Sequence, residues 1–309
     1  MKKKFWIPLA ILAGSLLILT GSCLYDRYAS QQALIDFPPS GQFITVHGAR
    51  MHYLCQGTGE PTLILEAGYD GGALDWAPIL PALAEHQRVC AFDRLGQDYS
   101  DPAPHPRTFG TAADELHLAL QIIGIERPVV IGHSLGGALV QIYAAKYNVA
   151  GVVLVEGLTG DVVAAVTQRL GSYKAMNPLA GLGLLRPLGM IGADLAYPPE
   201  LRRQMLALRS RSTALLNLTD EGAVAATSAP TELLTAETSL HAPLLVISAE
   251  QSDVPGLPAG AFVAAEKALA DRIAGSQYVI IPGASHHYIM ADHPQSVSAS
   301  IEAWLANLK

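Results

Sequence analysis

The 309-residue sequence contains few cysteines, few aromatic residues and little charge. Three cysteines cannot build a disulfide framework, and we expect Cys55 and Cys90, which lie in strand-like runs, to be buried free thiols. Hydrophobic residues make up 50% of the chain and charged residues 15%, which excludes intrinsic disorder. The net charge is −7 and the sequence contains no basic stripe, so we expect no nucleic-acid partner. A globular body with a sizeable core follows from the length.

The longest uncharged stretch runs from Phe5 to Tyr25, after three consecutive lysines. About 20 apolar residues cross the hydrocarbon core of a bilayer as a helix, and the lysines favour an N-terminus in the cytoplasm. We therefore predict a membrane anchor over residues 1–25 that places the rest of the chain outside the cytoplasm. Two alternatives remain open, a signal peptide cleaved at the small residues 20–22 and a lipoprotein signal with lipidation at Cys23.

Eight short apolar runs alternate with helical patterns after a polar linker at residues 26–40. The later runs are continuously apolar, which is typical of parallel strands covered by helices on both faces. The pattern predicts an α/β fold with a doubly wound, mostly parallel eight-stranded sheet that binds ligands at the carboxyl ends of its strands. The predicted strands are Phe43–Val46, Met51–Leu54, Thr62–Leu65, Val89–Phe92, Val129–Ile131, Val152–Val155, Leu244–Ile247 and Tyr278–Ile281. The predicted helices are Ala112–Ile123, Gly137–Lys146, Ala261–Ile273 and Val297–Leu305.

The connection between the sixth and seventh predicted strands is about 90 residues long, far more than an ordinary crossover needs. We predict a helical cap at residues 157–240, and a core formed by residues 41–156 and 241–309. Four arginines crowd one helical pattern in the cap. An acidic substrate or anionic lipid head groups would explain them, although a solvated helix face is the simpler interpretation. These arginines are Arg202, Arg203, Arg209 and Arg211.

The strongest chemical signal is the sequence Gly132-His133-Ser134-Leu135-Gly136, directly after a predicted strand and before a predicted helix. A strand-to-helix reversal this tight strains the serine backbone, and glycines two residues to either side avoid collisions with neighbouring structure. The N-terminus of the helix then points at any oxyanion that forms near the serine. We predict Ser134 as a nucleophile.

A serine hydroxyl needs a base to take its proton. In this order of motifs the histidine follows the last strand, where His286 and His287 are adjacent. The imidazole in turn needs a carboxylate that fixes its tautomer. Asp253, after the seventh predicted strand, is the first choice, and Glu250 and Glu156 remain as alternatives.

The backbone N–H of Leu135 is one expected donor to an oxyanion, and a second donor should come from the glycine-rich loop at residues 66–72. Tyr69 N–H is the best-placed group in that loop. The loop lacks the G-K-[ST] ending of a phosphate-binding loop, and the histidine pair has no further ligands at metal-binding spacing. We therefore expect neither a metal nor a cofactor.

With these motifs the chain resembles the α/β-hydrolase superfamily over residues 43–305. Residues 93–101 are similar to the family's D-R-x-G turn, although residues 97–99 differ from its usual middle. Ala67-Gly68 stands where the family usually has His-Gly. The segment from His287 to Pro294 is similar to the family's catalytic-histidine segment, so the resemblance favours His287 over His286.

The resemblance implies a carboxylesterase-like serine hydrolase that cleaves an ester or related acyl bond of a small molecule through an acyl-enzyme intermediate. Ser134 would attack, His287 would move the proton and Asp253 would orient the imidazole, while Tyr69 and Leu135 N–H groups hold the oxyanion. Relatives that open epoxides or remove halogens carry an aspartate where this chain has Ser134. An amidase or acyltransferase with the same residues is an alternative, and so is a non-catalytic ligand-binding module.

Overall fold

The computed structural model describes residues 3–104, 107–186 and 197–308. Its strands are β1 (Gln42–Val46), β2 (Ala49–Gln56), β3 (Leu63–Glu66), β4 (Val89–Phe92), β5 (Val129–His133), β6 (Gly151–Val155), β7 (Leu244–Gln251) and β8 (Gln277–Ser285). They form one sheet in the order β1-β2-β4-β3-β5-β6-β7-β8. The pairs β1–β2 and β2–β4 are antiparallel, and the other five pairs of this sheet are parallel. The predicted eight-stranded, mostly parallel sheet is confirmed.

Helices surround the sheet and account for most of the remaining described residues. They are α1 (Lys3–Asp36), α2 (Leu80–Leu83), α3 (Phe109–Ile122), α4 (Leu135–Lys146), α5 (Val163–Ser172), α6 (Asn177–Gly181), α7 (Pro199–Arg209), α8 (Ser212–Thr238), α9 (Ala261–Arg272), α10 (Ile289–Asp292) and α11 (Pro294–Leu305). Two short 3-10 helices span Ala73–Trp76 and Tyr173–Met176. Helices α3, α4, α9 and α11 overlap the four predicted helices.

The central strands are buried on both faces, and successive residues point to opposite sides of the sheet. In β5, Val130 belongs to an apolar cluster that includes Leu139 of α4, whereas Val129 and Ile131 belong to a second cluster that includes Trp304 of α11. All three β5 valine and isoleucine side chains are fully buried. The continuous apolar runs in the sequence therefore reflect two cores, one on each face of the sheet.

The long connection between β6 and β7 is helical in its described residues and contains α5, α6, α7 and α8, here called the insertion. Helix α8 packs against α5 and also against α4 of the core. Ten residues of the predicted cap, 187–196, lie outside the described residues. A helical insertion thus follows the sixth strand, at the end of the sheet where ligands bind in this class of fold.

Helix α1 is longer than the sequence suggested, because it continues without a break through most of the predicted linker. Residues 26–36 are helical, and α1 packs against α7, so the segment predicted as a linker at residues 26–40 continues the helix as far as Asp36. From Pro8 to Asp36 the helix is long and apolar enough to cross a membrane, judged by length and composition. Residues 1 and 2 of the predicted anchor lie outside the described residues.

Cys55 and Cys90 form a disulfide bond, so the expectation of two free thiols is wrong. The two residues lie directly opposite each other where β2 pairs with β4. Antiparallel pairing points such side chains to the same face, and here the Cα atoms are 4.1 Å apart. The bond joins the β2 strand to the parallel part of the sheet.

Candidate active site

Ser134 occupies the sharp turn between β5 and α4, with φ 50° and ψ −118°. Positive φ is uncommon for a residue with a side chain, and it marks the strain that the motif predicted. A Cβ atom on Gly132 would lie 2.4 Å from the Gly136 carbonyl oxygen, and one on Gly136 would lie 2.2 Å from the Glu66 carbonyl oxygen. Both obstacles are backbone atoms that cannot rotate away, so the turn requires both glycines.

A row of hydrogen bonds connects Ser134 to a buried acid. Ser134 Oγ is 3.0 Å from His286 Nε2, and His286 Nδ1 is 2.8 Å from Glu156 Oε2. Glu156 also accepts hydrogen bonds from the Ala249 N–H and the Ser252 hydroxyl. Because a carboxylate can only accept, Nδ1 carries the imidazole proton, and Nε2 is left to accept from the serine hydroxyl. We call these three side chains the Ser134–His286–Glu156 array.

The histidine of the array is His286, which corrects the choice of His287. Strand β8 ends at Ser285, and the next side chain turns inward over Ser134, whereas His287 is exposed and meets the His286 ring edge-on at 5.0 Å. Although the His287 side chain is exposed, desolvation by the cavity that it lines, together with the neighbouring His286, lowers the pKa of His287. The His133 ring contacts the His286 carbonyl oxygen at 3.1 Å. Burial, and secondarily His286, lowers the pKa of His133 to about 4, so its neutral ring donates this bond.

The acid of the array is Glu156, which corrects the choice of Asp253. Glu156 directly follows β6, the neighbour of β5 in the sheet, and its side chain is fully buried beside the histidine. Asp253 follows β7, one strand farther away, and is exposed. Its neighbour Ser252 contacts Glu156 instead. The other alternative, Glu250, accepts a hydrogen bond from the Gly283 N–H.

A second buried carboxyl group, Glu266 on α9, lies behind Glu156. It is fully buried and accepts a hydrogen bond from the Ser248 hydroxyl at 2.5 Å. Burial, reinforced by the charge of Glu156, raises the pKa of Glu266 well above its usual value. The buried Glu266 carboxyl therefore favours its neutral form more than an exposed glutamate does, which limits the negative charge next to Glu156. As one acidic residue in an ordinary helical pattern, it carries no sequence signal that would have identified it.

The two predicted oxyanion donors lie beside Ser134. Leu135 is the first residue of α4, and N–H groups in the first turn of a helix have no acceptor within the helix. The backbone of Gly68 passes so close that a Cβ atom there would lie 3.1 Å from the Ser134 Cβ. Tyr69 follows Gly68, and both Tyr69 and Leu135 line the same cavity as Ser134.

Arg94 holds the loop that follows β3 in place. Its guanidinium donates to the Ala67 and Gly68 carbonyl oxygens at 2.7 and 2.9 Å, and it pairs with Glu66 and with Glu221 of α8. Burial raises the pKa of Glu66 to about 7, against the opposing effect of Arg94. The resemblance marked the D-R turn, but it did not indicate that this arginine supports the predicted oxyanion loop.

The cavity that contains Ser134 and His286 has a volume of about 480 Å³, within the range of small-molecule sites. It extends between the core and the insertion. Its lining from α5 and α7 comprises Val166, Arg169, Leu170, Arg202, Met205, Leu206 and Arg209. Within residues 3–104, 107–186 and 197–308, no group of three or more His, Cys, Asp or Glu side chains is arranged to hold a metal ion.

Three of the four arginines singled out in the sequence lie on α7, and they differ in their surroundings. Arg209 pairs with Asp75 at the rim of the cavity and with buried Asp98, so it joins α7 to the core. Arg203 is exposed and pairs with Glu200 on its own helix, as a solvated face would. Arg202 lines the cavity.

A family profile described as "alpha/beta hydrolase fold" matches residues 61–292, more than half of the chain. The chain belongs to this family. The fold and the family agree with the resemblance seen in the sequence, and they make a small-molecule substrate the expectation for the cavity.

Individual relatives match parts of the chain. An uncharacterized protein of Mycobacterium tuberculosis is 33% identical over 129 residues, 40% of this chain and 38% of that protein. A Stutzerimonas stutzeri protein named "Putative carbamate hydrolase RutD" is 44% identical over 92 residues, 28% of this chain and 34% of that protein. The matches span less than half the length of either curated relative. A thermophilic esterase from Thermogutta terrifontis is 23% identical in structure alignment, which covers 86% of this chain and 99% of that one with a TM-score of 0.67. At 23% identity, this similarity is evidence for the fold alone.

Proposed function

We propose that the protein is a serine hydrolase that cleaves a carboxylic ester, or a related acyl bond, through an acyl-enzyme intermediate. The observation that carries the proposal is the 3.0 Å contact between Ser134 Oγ and His286 Nε2, with Glu156 on the far side of the imidazole at 2.8 Å. A serine, a base and a group that orients the base are the components that nucleophilic acyl transfer requires.

In the first half of the proposed reaction, Ser134 Oγ attacks the acyl carbon while His286 Nε2 takes the hydroxyl proton. Glu156 stabilises the imidazolium that forms. The negative charge on the former carbonyl oxygen is held by the N–H groups of Tyr69 and Leu135. The intermediate collapses when His286 returns the proton to the leaving oxygen, and the alcohol departs.

In the second half, water replaces the alcohol. His286 takes a proton from the water as its oxygen attacks the acyl carbon, and the same N–H groups hold the second oxyanion. Collapse breaks the bond to Ser134 Oγ, which recovers the proton from His286. The carboxylic acid leaves and the array is restored.

A carbamate is a second candidate for the acyl bond, favoured by the name of the Stutzerimonas stutzeri relative. A carbamate presents an electrophilic carbonyl carbon to Ser134, as an ester does. This carbon also carries a nitrogen atom, which either leaves or remains in the acyl-enzyme. Amide cleavage and acyl transfer to another alcohol use the same acyl-enzyme. A ligand-binding module without catalysis is the contrasting class.

A fluorophosphonate probe tests the nucleophile. We expect covalent labelling of the wild type and of Ser172→Ala, an exposed serine of the insertion, but not of Ser134→Ala. A panel of p-nitrophenyl esters with increasing acyl length, one amide and one carbamate then identifies the bond that is cleaved. Equal labelling of wild type and Ser134→Ala, or no labelling and no turnover at all, would contradict the proposal and favour a binding module.

We also propose that the body is exported and tethered by α1. The support is the run of three lysines before an apolar helix and the Cys55–Cys90 disulfide, because disulfides persist in oxidising compartments. Fractionation of the full chain with protease protection tests the location. The mass of the purified protein distinguishes an intact anchor from cleavage at residues 20–22 or lipidation at Cys23.

A further inference from the structure

We propose that the insertion lies against the membrane surface and that the Ser134 cavity receives its substrate, an acyl ester held in the bilayer, from that surface. This inference rests on the proposed hydrolase function and adds the class of substrate. It follows from the way α1 is attached to the body.

One face of α1 is fixed to the insertion by polar contacts. Ser22 and Asp26 are four residues apart and therefore lie on the same face of the helix. The Ser22 hydroxyl donates to the Gly183 carbonyl oxygen at 2.9 Å, while Asp26 accepts from Arg186 at 3.3 Å and from the Ser212 hydroxyl at 2.6 Å. Asp26 is 4% exposed. A buried carboxylate is stable only with its partners in place, so these contacts define the position of the helix.

The part of α1 from Pro8 to Gly21, before the attached face, is apolar and largely exposed. The rest of the protein does not bury the most apolar stretch of α1. Its exposed side chains are Leu9, Ile11, Leu12, Leu16, Leu17 and Ile18. On the outward face of the attached part, Leu24, Tyr25 and Tyr28 are more than half exposed. Such a surface favours hydrocarbon over water.

A bilayer fits the length of this uncovered segment. Pro8 and Tyr25 are separated by 17 positions, which is about 26 Å at the helical rise and close to the thickness of the hydrocarbon core. Tryptophan and tyrosine concentrate at the two membrane–water interfaces. We therefore place the outer membrane–water interface at Tyr25 and Tyr28. Asp26, which binds the insertion, lies in the same turns of the helix.

The residues of the insertion at this level suit contact with lipid. Cys23 Sγ contacts the Leu182 carbonyl oxygen at 3.4 Å, so Leu182 lies beside the predicted interface. Leu182 and Leu179 of α6 are exposed large apolar residues in the same part of the insertion. Arg27 is exposed on α1, within reach of lipid phosphates.

The cavity adjoins this attachment. Helix α7 packs against α1 and contributes Arg202, Met205 and Leu206 to the cavity lining. One helix therefore touches the anchor with one part of its surface and the Ser134 cavity with another. An ester anchored in the bilayer by its acyl chain can reach Ser134 without dissolving in bulk water.

The orientation is tested on the full chain in phosphatidylcholine vesicles. In a Cys23→Ser background, an environment-sensitive fluorophore is attached at Leu182→Cys and, as the matched control, at Ile280→Cys on the edge strand β8, also an exposed apolar residue. We expect nitroxide-labelled lipids to quench the label at 182 and not at 280. Equal quenching at both sites, or quenching at neither, would overturn the orientation. Loss of lipid quenching together with crosslinking through α1 would indicate a second copy of the chain as the occupant.

The substrate class is tested in the same vesicles with Asp26→Ala, which removes the attachment, and Asp36→Ala, an exposed aspartate at the end of the same helix. We expect Asp26→Ala alone to lose about tenfold in turnover of a long-chain fluorogenic ester embedded in the bilayer, since the approach to Ser134 is misplaced. Turnover of water-soluble p-nitrophenyl acetate should stay at the wild-type level in both variants. Equal turnover of the embedded ester by both variants overturns the inference and leaves the hydrolase intact. Absence of all turnover in the wild type refutes the hydrolase itself.

Discussion

Replacement of Glu156 by glutamine changes the electrostatics of the array while keeping its shape. The Ala249 N–H points at Oε1, and a backbone donor there requires an acceptor, so the amide oxygen takes that position. The amide NH₂ then faces His286 Nδ1 and donates to it. The imidazole is held in the tautomer with its proton on Nε2, which can no longer accept the proton of Ser134.

The size of the effect follows from this tautomer change. An acid-to-amide substitution that enforces the wrong tautomer lowers kcat by about 10⁴-fold in serine hydrolysis, which is about 5.4 kcal/mol at 1.36 kcal/mol per factor of ten. The KM should change little, because the carboxylate of Glu156 is fully buried behind the imidazole, away from the substrate.

Steady-state hydrolysis of a p-nitrophenyl ester measures the loss, and thermal unfolding checks that Glu156→Gln still folds. The matched control is Asp253→Asn, the same chemical change at an exposed acid, for which we expect unchanged kcat. A folded Glu156→Gln variant with wild-type kcat would refute the reasoning. Loss of activity in Asp253→Asn would instead support Asp253, the acid predicted from the sequence.

Three further outcomes are expected. His286→Ala should lower ester turnover by orders of magnitude while His287→Ala retains it, and the reverse ranking in the same assay would return the role to His287. Cys90→Ser opens a loop of 35 residues, for which chain entropy gives about 4 kcal/mol of lost stability; an unchanged denaturant midpoint under non-reducing conditions would contradict this. Burial raises the pKa of Glu266 far above 4.5, so above pH 4.5 the folded state keeps a proton that the unfolded state releases, and stability falls as pH rises. Glu266→Gln should show a weaker fall in unfolding free energy as the pH rises above 4.5, and parallel curves for the two proteins would count against a raised pKa of Glu266.

The sheet and the serine turn could be predicted because their signals are local. A run such as Val129–Ile131 is apolar throughout since both faces of the strand are covered, and this shows directly in the sequence. The turn at Ser134 depends on Gly132 and Gly136, whose places cannot hold a side chain. Both requirements act within a few residues.

The partners of Ser134 could not be predicted in the same way because they depend on distant geometry. Adjacent residues after a strand point in different directions. His286 faces Ser134 because β8 ends at Ser285, and the exact end of this strand is not visible in the sequence. The choice of Glu156 over Asp253 depends on β6 lying next to β5 in the sheet. The disulfide likewise depends on register, which places Cys55 opposite Cys90.

The hydrogen bonds from Arg94 to the loop after β3 affect how the sequence of the insertion can vary. Through Glu221, any shift of α8 reaches the carbonyl groups of Ala67 and Gly68, and hence the peptide N–H that follows them. If the proposed hydrolase function holds, we expect substitutions in the insertion that alter which molecules fit to alter how fast they react as well. Selectivity and rate would then change together, and both should be measured in any redesign of the insertion.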